Sequence, residues 1–227
     1  MKEKKFLKNK ILLTLCILFF LIFLIISFLV KNNLFLLDIN IWEKINNIRN
    51  SALTDIFTKI THLGDKIFLV IIVSLTSLIL IAKKRYKESI FLVSSSIIGA
   101  YILNRLIKYL FTRPRPFTLD LVKPLVSING YSYPSGHAMG SIIVYIILVY
   151  ILFNKKIKKL GIIFAIILAT AISCTRVYLG VHYPSDIFAG FFLGLSFDIM
   201  AILIYRRFYG NKKSKSKRLK SYLCHFR

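Results

Sequence analysis

Long uncharged stretches dominate this sequence and restrict the folds that it can adopt. The first, ILLTLCILFFLIFLIISFLV at residues 11–30, has twenty residues and no charge. A membrane-spanning helix needs about 20 mostly apolar residues, because lipid offers no partners for backbone polar groups. Five further apolar segments follow, at 65–82, 89–110, 138–153, 160–178 and 187–205. The pattern predicts an all-α, polytopic membrane protein with six transmembrane helices.

The first apolar segment also has features of a signal peptide, because it follows a basic stretch. Its apolar core is longer than the roughly 7–15 residues usual in signal peptides, and no small-residue cleavage site follows it. We therefore expect it to be a retained span. The chain is 56% hydrophobic, above the roughly 45–50% of soluble domains, which agrees with a membrane protein.

Basic residues are concentrated in four short segments, 1–10, 83–87, 155–159 and 206–227. These segments hold five, four, four and nine lysines and arginines, 22 of the 33 in the chain. With six spans, all four lie on one side, which the positive-inside rule assigns to the cytoplasm. The sequence thus predicts a basic cytoplasmic N-terminus (1–10), a membrane domain (11–205) and a basic cytoplasmic tail (206–227). It also accounts for the formal charge of +24 without a nucleic-acid partner.

The other connecting segments, 31–64, 111–137 and 179–186, fall on the outer side. Apolar residues in 31–64 recur at roughly helical spacing, as at Ile41, Ile45 and Ile48. This spacing predicts an amphipathic helix lying at the membrane interface. A plain solvated connector fits the segment nearly as well.

A concentrated set of polar residues marks the outer ends of the third to sixth spans. Charges next to hydrocarbon are costly and usually mark function or pairing. The sequence therefore predicts a site on the outer membrane face, built from these residues: Lys108, Arg113, Arg115, Ser135, Gly136, His137, Thr175, Arg176, His182 and Asp186.

The motifs contain three cations, Lys108, Arg115 and Arg176, and only one strong acid, Asp186. Such a cluster favours an anion, and guanidinium groups match phosphate oxygens bidentately. Ser135 and Gly136 precede a predicted helix, whose free amides and positive dipole end also favour an anion. Glycine there permits close approach to the backbone. These features indicate a phosphate site.

The two histidines have distinct predicted roles. His182 and Asp186 are four residues apart and share a face on a helical turn. Asp186 would hold one ring nitrogen and leave the other as a nucleophile. His137 would protonate the leaving oxygen. A nucleophile, an orienting acid, a proton donor and a cationic cradle together indicate phosphoryl transfer through a phosphohistidine.

Simpler interpretations apply to single residues. A lone interfacial histidine is commonly structural, and Arg113 and Lys123 fit a role limited to head-group contact. Asp198 fits either a proton path or a buried hydrogen-bonded carboxyl, and Arg105 fits either the pocket or a structural bond. A metal site is disfavoured, because three cations would repel a divalent ion. The cysteines are predicted to be free and structural: Cys16, Cys174 and Cys224.

The ordered motifs resemble the tripartite signature of the type 2 phosphatidic acid phosphatase superfamily: Lys108-(six residues)-Arg115-Pro116, Pro134-Ser135-Gly136-His137, and Arg176-(five)-His182-(three)-Asp186. The resemblance runs over about 65–205, and the Leu63-Gly64-Asp65 opening of the second span is also similar. Thr175 stands where the family usually has serine, so a hydroxyl is retained.

The resemblance implies that His182 is the nucleophile, Asp186 its activator and His137 the acid, with no metal or cofactor. It also implies phosphate contacts from the remaining motif residues: Lys108, Arg115, Ser135, Gly136, Thr175 and Arg176. Size and layout resemble the bacterial phosphatidylglycerophosphatase B-like branch, which includes undecaprenyl-diphosphate phosphatases. These are six-helix plasma-membrane enzymes acting on lipid phosphates at the outer leaflet. A lipid phosphotransferase and a non-catalytic anion-binding or transport protein remain the alternatives.

Overall fold

Helices form all the regular secondary structure in the described part of this computed structural model, residues 2–32 and 35–224. Side chains from residue 210 onward, and several before residue 9 and between 35 and 46, lie outside the description. The predicted all-α class is therefore confirmed. The helices are α1 (Lys2–Lys31), α2 (Phe35–Ile48), α3 (Ser51–His62), α4 (Lys66–Ala82), α5 (Tyr86–Ser95), α6 (Asn104–Phe111), α7 (Gly136–Leu152), α8 (Lys158–Tyr178) and α9 (Pro184–Cys224). A π-helical stretch, Ser96–Leu103, joins α5 to α6, and a 3₁₀ turn, Pro116–Leu119, follows α6.

All six predicted spans are helical, but they differ in length. Four helical stretches are long and apolar enough to cross a membrane: Asn9–Lys31, Tyr86–Leu119, Lys158–Tyr178 and Pro184–Tyr209. A fifth arises if α3 and α4 are taken together across their 41° bend, and α7 is apolar but has only 17 residues. The described residues thus contain four or five candidate spans, and the number six stays a prediction.

Helix α7 lies at the centre of the bundle, against α8 and α9. Its sequence has no charge after its first turn, and residues on every face are fully buried, including Met139, Ile142, Ile143 and Ile147. A helix that is apolar all round belongs in a core. Helix α9 approaches the start of α7 closely at Gly190, where a Cβ would lie 2.7 Å from the Ser135 carbonyl oxygen. This approach brings the two helix starts that carry motif residues together.

The segment 31–64, which is predicted to lie on the outer side, contains two helices, α2 and α3, rather than one. The Asn50 side chain begins α3 by accepting a hydrogen bond from the Leu53 amide at 2.9 Å. Several predicted apolar positions face outward, including Ile41. The buried face of α2 instead carries Asp38 and Trp42, next to α8 and α9. Residues 35–48 and 51–62 are therefore helical, and the interfacial location of the segment stays a prediction.

The predictions for the cysteines and for the C-terminal tail are only partly covered by the described residues. Cys16 and Cys174 are free, as predicted, and the Cys224 side chain lies outside the described residues. Helix α9 continues through most of the predicted basic tail, 206–227, but the side chains from 210 onward and the end of that tail are not described.

Candidate active site

The predicted nucleophile lies in the short connection between α8 and α9. Helix α9 begins at Pro184, and its first turn carries Asp186. His182 is 1% exposed, and its Nδ1 lies 3.1 Å from the Asp186 carboxylate. A carboxylate only accepts, so Nδ1 carries the proton and Nε2 keeps a free lone pair. Burial, followed by the charge of nearby Arg115, holds the pKa of His182 well below its usual value, so the ring is neutral.

Four donors surround Asp186, which is fully buried. One carboxylate oxygen accepts from the Ser132 hydroxyl, the Tyr183 amide at 3.0 Å and His182. The other accepts from Arg113 at 2.7 Å. These contacts fix the carboxylate in place, and the carboxylate in turn orients His182.

Arg113 connects Asp186 to a second buried acid, Asp38 of α2. Its guanidinium lies 2.8 Å from the Asp38 carboxylate and 3.6 Å above the centre of the Tyr183 ring. Asp38 also accepts from the Ser185 amide at 3.0 Å and the Ser185 hydroxyl at 2.7 Å. Because Arg113 is 9% exposed and bridges two carboxylates, the structure contradicts a role limited to head-group contact.

Backbone carbonyls hold two of the predicted phosphate-binding cations. Lys108 donates to the Tyr131 carbonyl at 2.8 Å. Arg115 donates to the Val181 carbonyl at 2.7 Å, and its Nη1 lies 3.4 Å from His182 Nε2. Carbonyl partners fix these side chains without neutralising them. Both charges therefore remain available to an anion near the nucleophilic nitrogen.

Arg176 completes the cationic cluster from the end of α8. Its Nη1 donates to the Thr61 hydroxyl of α3 at 2.9 Å, and its buried Nε has no partner among the described residues. Within the described ranges, neither Arg176 nor the other two cradle cations forms a salt bridge. The Thr175 hydroxyl donates to the Ile172 carbonyl of its own helix at 2.6 Å.

Helix α7 begins next to these cations, as predicted. Ser135 occupies the N-cap, its hydroxyl accepting from the Ala138 amide at 3.5 Å, and its own amide donates to the Asp186 carbonyl at 3.0 Å. Gly136 is the first helical residue. The amide end and dipole of α7 are thus available to an anion.

The second histidine has a partner that sequence reasoning missed. His137 Nε2 lies 2.8 Å from Asp65 Oδ1, in the turn between α3 and α4. The other Asp65 oxygen lies 2.6 Å from His62 Nδ1. The hydrogen bond from His137 lowers the pKa of Asp65 to about 2 against an opposing effect of partial burial. In the sequence, the Leu63-Gly64-Asp65 stretch indicates only a similarity to the family. It predicts no chemical role for Asp65.

Two residues of undecided role lie away from this cluster. Arg105 is exposed and donates to the hydroxyls of Tyr101 and Tyr109, at 3.0 and 3.1 Å, which favours the structural alternative. Asp198 is buried, and neither carboxylate oxygen bonds to a described residue. Among the residues that the structure covers, no three His, Cys, Asp or Glu side chains are grouped as metal ligands.

Comparisons with known proteins agree on one family. The model of the PAP2 superfamily matches residues 89–210. Phosphatidylglycerophosphatase B of Bacillus subtilis (strain 168) is 36% identical over 155 residues, 65% of this chain and 73% of that protein. Undecaprenyl-diphosphatase of Sulfolobus acidocaldarius is 38% identical over 136 residues, 58% of this chain and 62% of that protein.

A solved structure extends the likeness beyond the matched region. The crystal structure of a transmembrane PAP2-type phosphatidylglycerolphosphate phosphatase from Bacillus subtilis matches with a TM-score of 0.77 and 29% identity. The match covers 85% of this chain and 96% of that one. It therefore includes helices that precede residue 89.

Proposed function

Because this chain belongs to the PAP2 superfamily, we propose that it is an integral membrane lipid phosphate phosphatase working through a phosphohistidine on His182. The family membership confirms the resemblance of the three sequence motifs. The observation that carries the proposal is the geometry at His182: Asp186 holds the ring at Nδ1, and Nε2 lies 3.4 Å from Arg115, which forms no salt bridge with any described residue. The lowered pKa of His182 agrees with a ring that is free to attack through Nε2.

In the first step, Nε2 of His182 attacks phosphorus, and the bond from phosphorus to the lipid oxygen breaks. His137 gives its proton to that leaving oxygen. Asp186 accepts from Nδ1 throughout and stabilises the positive charge that the ring acquires. The product is a phosphohistidine and a free lipid alcohol, or a lipid monophosphate when the substrate is a diphosphate.

In the second step, His137 takes a proton from water, which attacks phosphorus and breaks its bond to Nε2. Phosphate leaves, and both histidines return to their initial states. Lys108, Arg115 and Arg176, with the amides at Ser135 and Gly136, would bind the phosphate oxygens as charge redistributes. Thr175 is the remaining predicted contact.

The membrane arrangement that we propose has six spans, both termini in the cytoplasm and the site on the outer face of a bacterial plasma membrane. Support comes from the placement of charge along the helices. The basic segment 155–159 covers the end of the α7–α8 connection and the first two residues of α8, whereas the site residues lie at the opposite ends of the same helices. By the positive-inside rule, this placement favours a site on the outer side of the membrane.

For the substrate we propose undecaprenyl diphosphate, phosphatidylglycerophosphate, or both. The relatives' names point to these head groups. The experiment is a release assay on purified protein with a chelator, comparing these two lipids with phosphatidic acid and a soluble diphosphate. Wild-type protein is expected to release phosphate from lipid and form an acid-labile phosphoenzyme. His182→Ala is expected to do neither while remaining folded.

Other outcomes identify the alternatives. Turnover by His182→Ala would contradict the mechanism. Labelled phosphate appearing on a second lipid would identify a phosphotransferase. Binding of the lipid phosphate without a phosphoenzyme in wild-type protein would identify a non-catalytic anion-binding protein.

A further inference from the structure

The turn between α3 and α4 lies outside the three signature motifs, yet it is attached to α7 at three successive helical turns. Its residues contact α7 pairwise: Leu63 O accepts from Tyr145 Oη at 2.7 Å, a Cβ on Gly64 would lie 3.0 Å from Ser141 Oγ, and Asp65 Oδ1 lies 2.8 Å from His137 Nε2. The fit at Gly64 is tight, because the same Cβ would also lie 2.5 Å from Ile172. The turn therefore holds Asp65 in a fixed place beside His137.

The Asp65 side chain does not cap helix α4, although its position at the helix start suggests that it would. It is the N-cap of α4, where an aspartate normally accepts from helix amides. Its side chain makes no capping hydrogen bond. Both oxygens instead bind imidazoles, His137 on one side and the exposed His62 on the other. The carboxylate is thus directed to the site and not to its own helix.

We propose that Asp65 is a positioning residue for the leaving-group acid: it binds Nε2–H of His137 and stabilises the protonated ring, so that Nδ1 delivers the proton. This inference rests on the proposed function. Burial lowers the pKa of His137, and the charges of Arg176 and Arg115 act in the same direction, whereas the hydrogen bond and charge of Asp65 raise it. The contact at 2.8 Å therefore makes Asp65 the group that favours the protonated ring.

The two histidine–carboxylate pairs then differ in a way that matches their roles. Asp186 shares its charge with Arg113 at 2.7 Å, and its histidine stays neutral as a nucleophile requires. Asp65 forms salt bridges only with histidines among the described residues. Its charge is therefore shared between the exposed His62 and His137, and no arginine or lysine pairs with it in the described part of the chain. This leaves Asp65 able to stabilise a proton on His137, as an acid requires.

The test uses two lipid-like phosphate monoesters with the same alkyl chain, one with a nitrophenol and one with a benzyl alcohol as the leaving group. A nitrophenolate departs without a proton, whereas a benzyl alkoxide needs one. The measured quantity is kcat/KM, which reports the steps up to leaving-group departure. Asp65→Asn is expected to lower kcat/KM by about 10²-fold for the benzyl ester and by less than about threefold for the nitrophenyl ester.

The matched control is Asp55→Asn, the same change at an exposed position of α3, which is expected to behave as wild type with both esters. In a His137→Ala background, Asp65→Asn is expected to cause no further loss, because its effect passes through that ring. Equal losses with both esters, or a full additional loss in the double variant, would overturn the proposal. Failure of the wild type to hydrolyse either ester would instead refute the proposed function.

Discussion

Removal of the Arg113 guanidinium is expected to destabilise the fold and impair the nucleophile together. Arg113 lies 2.8 Å from Asp38 and 2.7 Å from Asp186, and both acids are almost fully buried. In Arg113→Gln, each carboxylate keeps neutral donors, such as the Ser185 amide for Asp38. Neither keeps its cation.

The magnitude follows from the burial of those charges. Breaking a buried ion pair by deleting one partner costs about 3–5 kcal/mol, because a charge is left uncompensated. For a chain of this size, that corresponds to a decrease in Tm of roughly 6–20 °C. Asp38→Asn is expected to cost less, about 1–3 kcal/mol, since Arg113 then still pairs with Asp186. The double variant is expected to lose less than the sum of the single variants.

The assay is thermal unfolding in detergent together with steady-state kinetics on a lipid phosphate. For Arg113→Gln we expect kcat to decrease with little change in KM, because Arg113 touches Asp186 and lies behind the phosphate cradle. The matched control is Arg105→Gln, an exposed arginine bound to tyrosine hydroxyls, whose Tm should not change. An Arg113→Gln protein within about 1 kcal/mol of wild type would refute the reasoning from burial.

Three further predictions concern single side chains. Thr175→Val is expected to retain kcat/KM within about threefold, because the one hydroxyl proton is already donated to the Ile172 carbonyl. A loss of about tenfold or more would instead support the predicted contact between Thr175 and phosphate. Asp198→Leu is expected to raise the free energy of unfolding by about 1–3 kcal/mol with unchanged turnover, since it removes a buried carboxyl that has no partner among the described side chains; lost turnover would favour a proton path. Because the pKa of His182 lies well below 6.5 in the native state, the unfolded chain binds the extra proton just below that pH. Wild-type Tm should therefore decrease more than that of His182→Gln between about pH 7 and pH 5, and parallel decreases would contradict this.

The parts of the site that sequence predicted are those encoded locally. His182 and Asp186 are four residues apart at a proline-initiated helix start, so their contact follows from helix geometry alone. Ser135 at the start of α7 was predictable for the same reason, because a capping residue stood before a long apolar run. The roles assigned to these residues stay predictions until the variants are measured.

The parts that sequence missed depend on contacts between distant segments. Asp65 and His137 are 72 residues apart, Asp38 and Arg113 are 75 apart, and Arg176 and Thr61 are 115 apart. No periodicity links such pairs. The segment 31–64 therefore appeared to be a connector or an interfacial helix, whereas its buried polar side chains are bonded to motif residues.

The sequence by itself determined the helical class, the apolar segments and the three motifs, because hydrophobic length and short-range spacing are properties of adjacent residues. Only the tertiary structure decided which carboxylate contacts His137. Asp186 could be matched to His182 within one helical turn, but Asp65 reached His137 through the docking of a tight glycine turn onto α7. The packing of helices against one another determines that choice, and it is a property of the whole bundle.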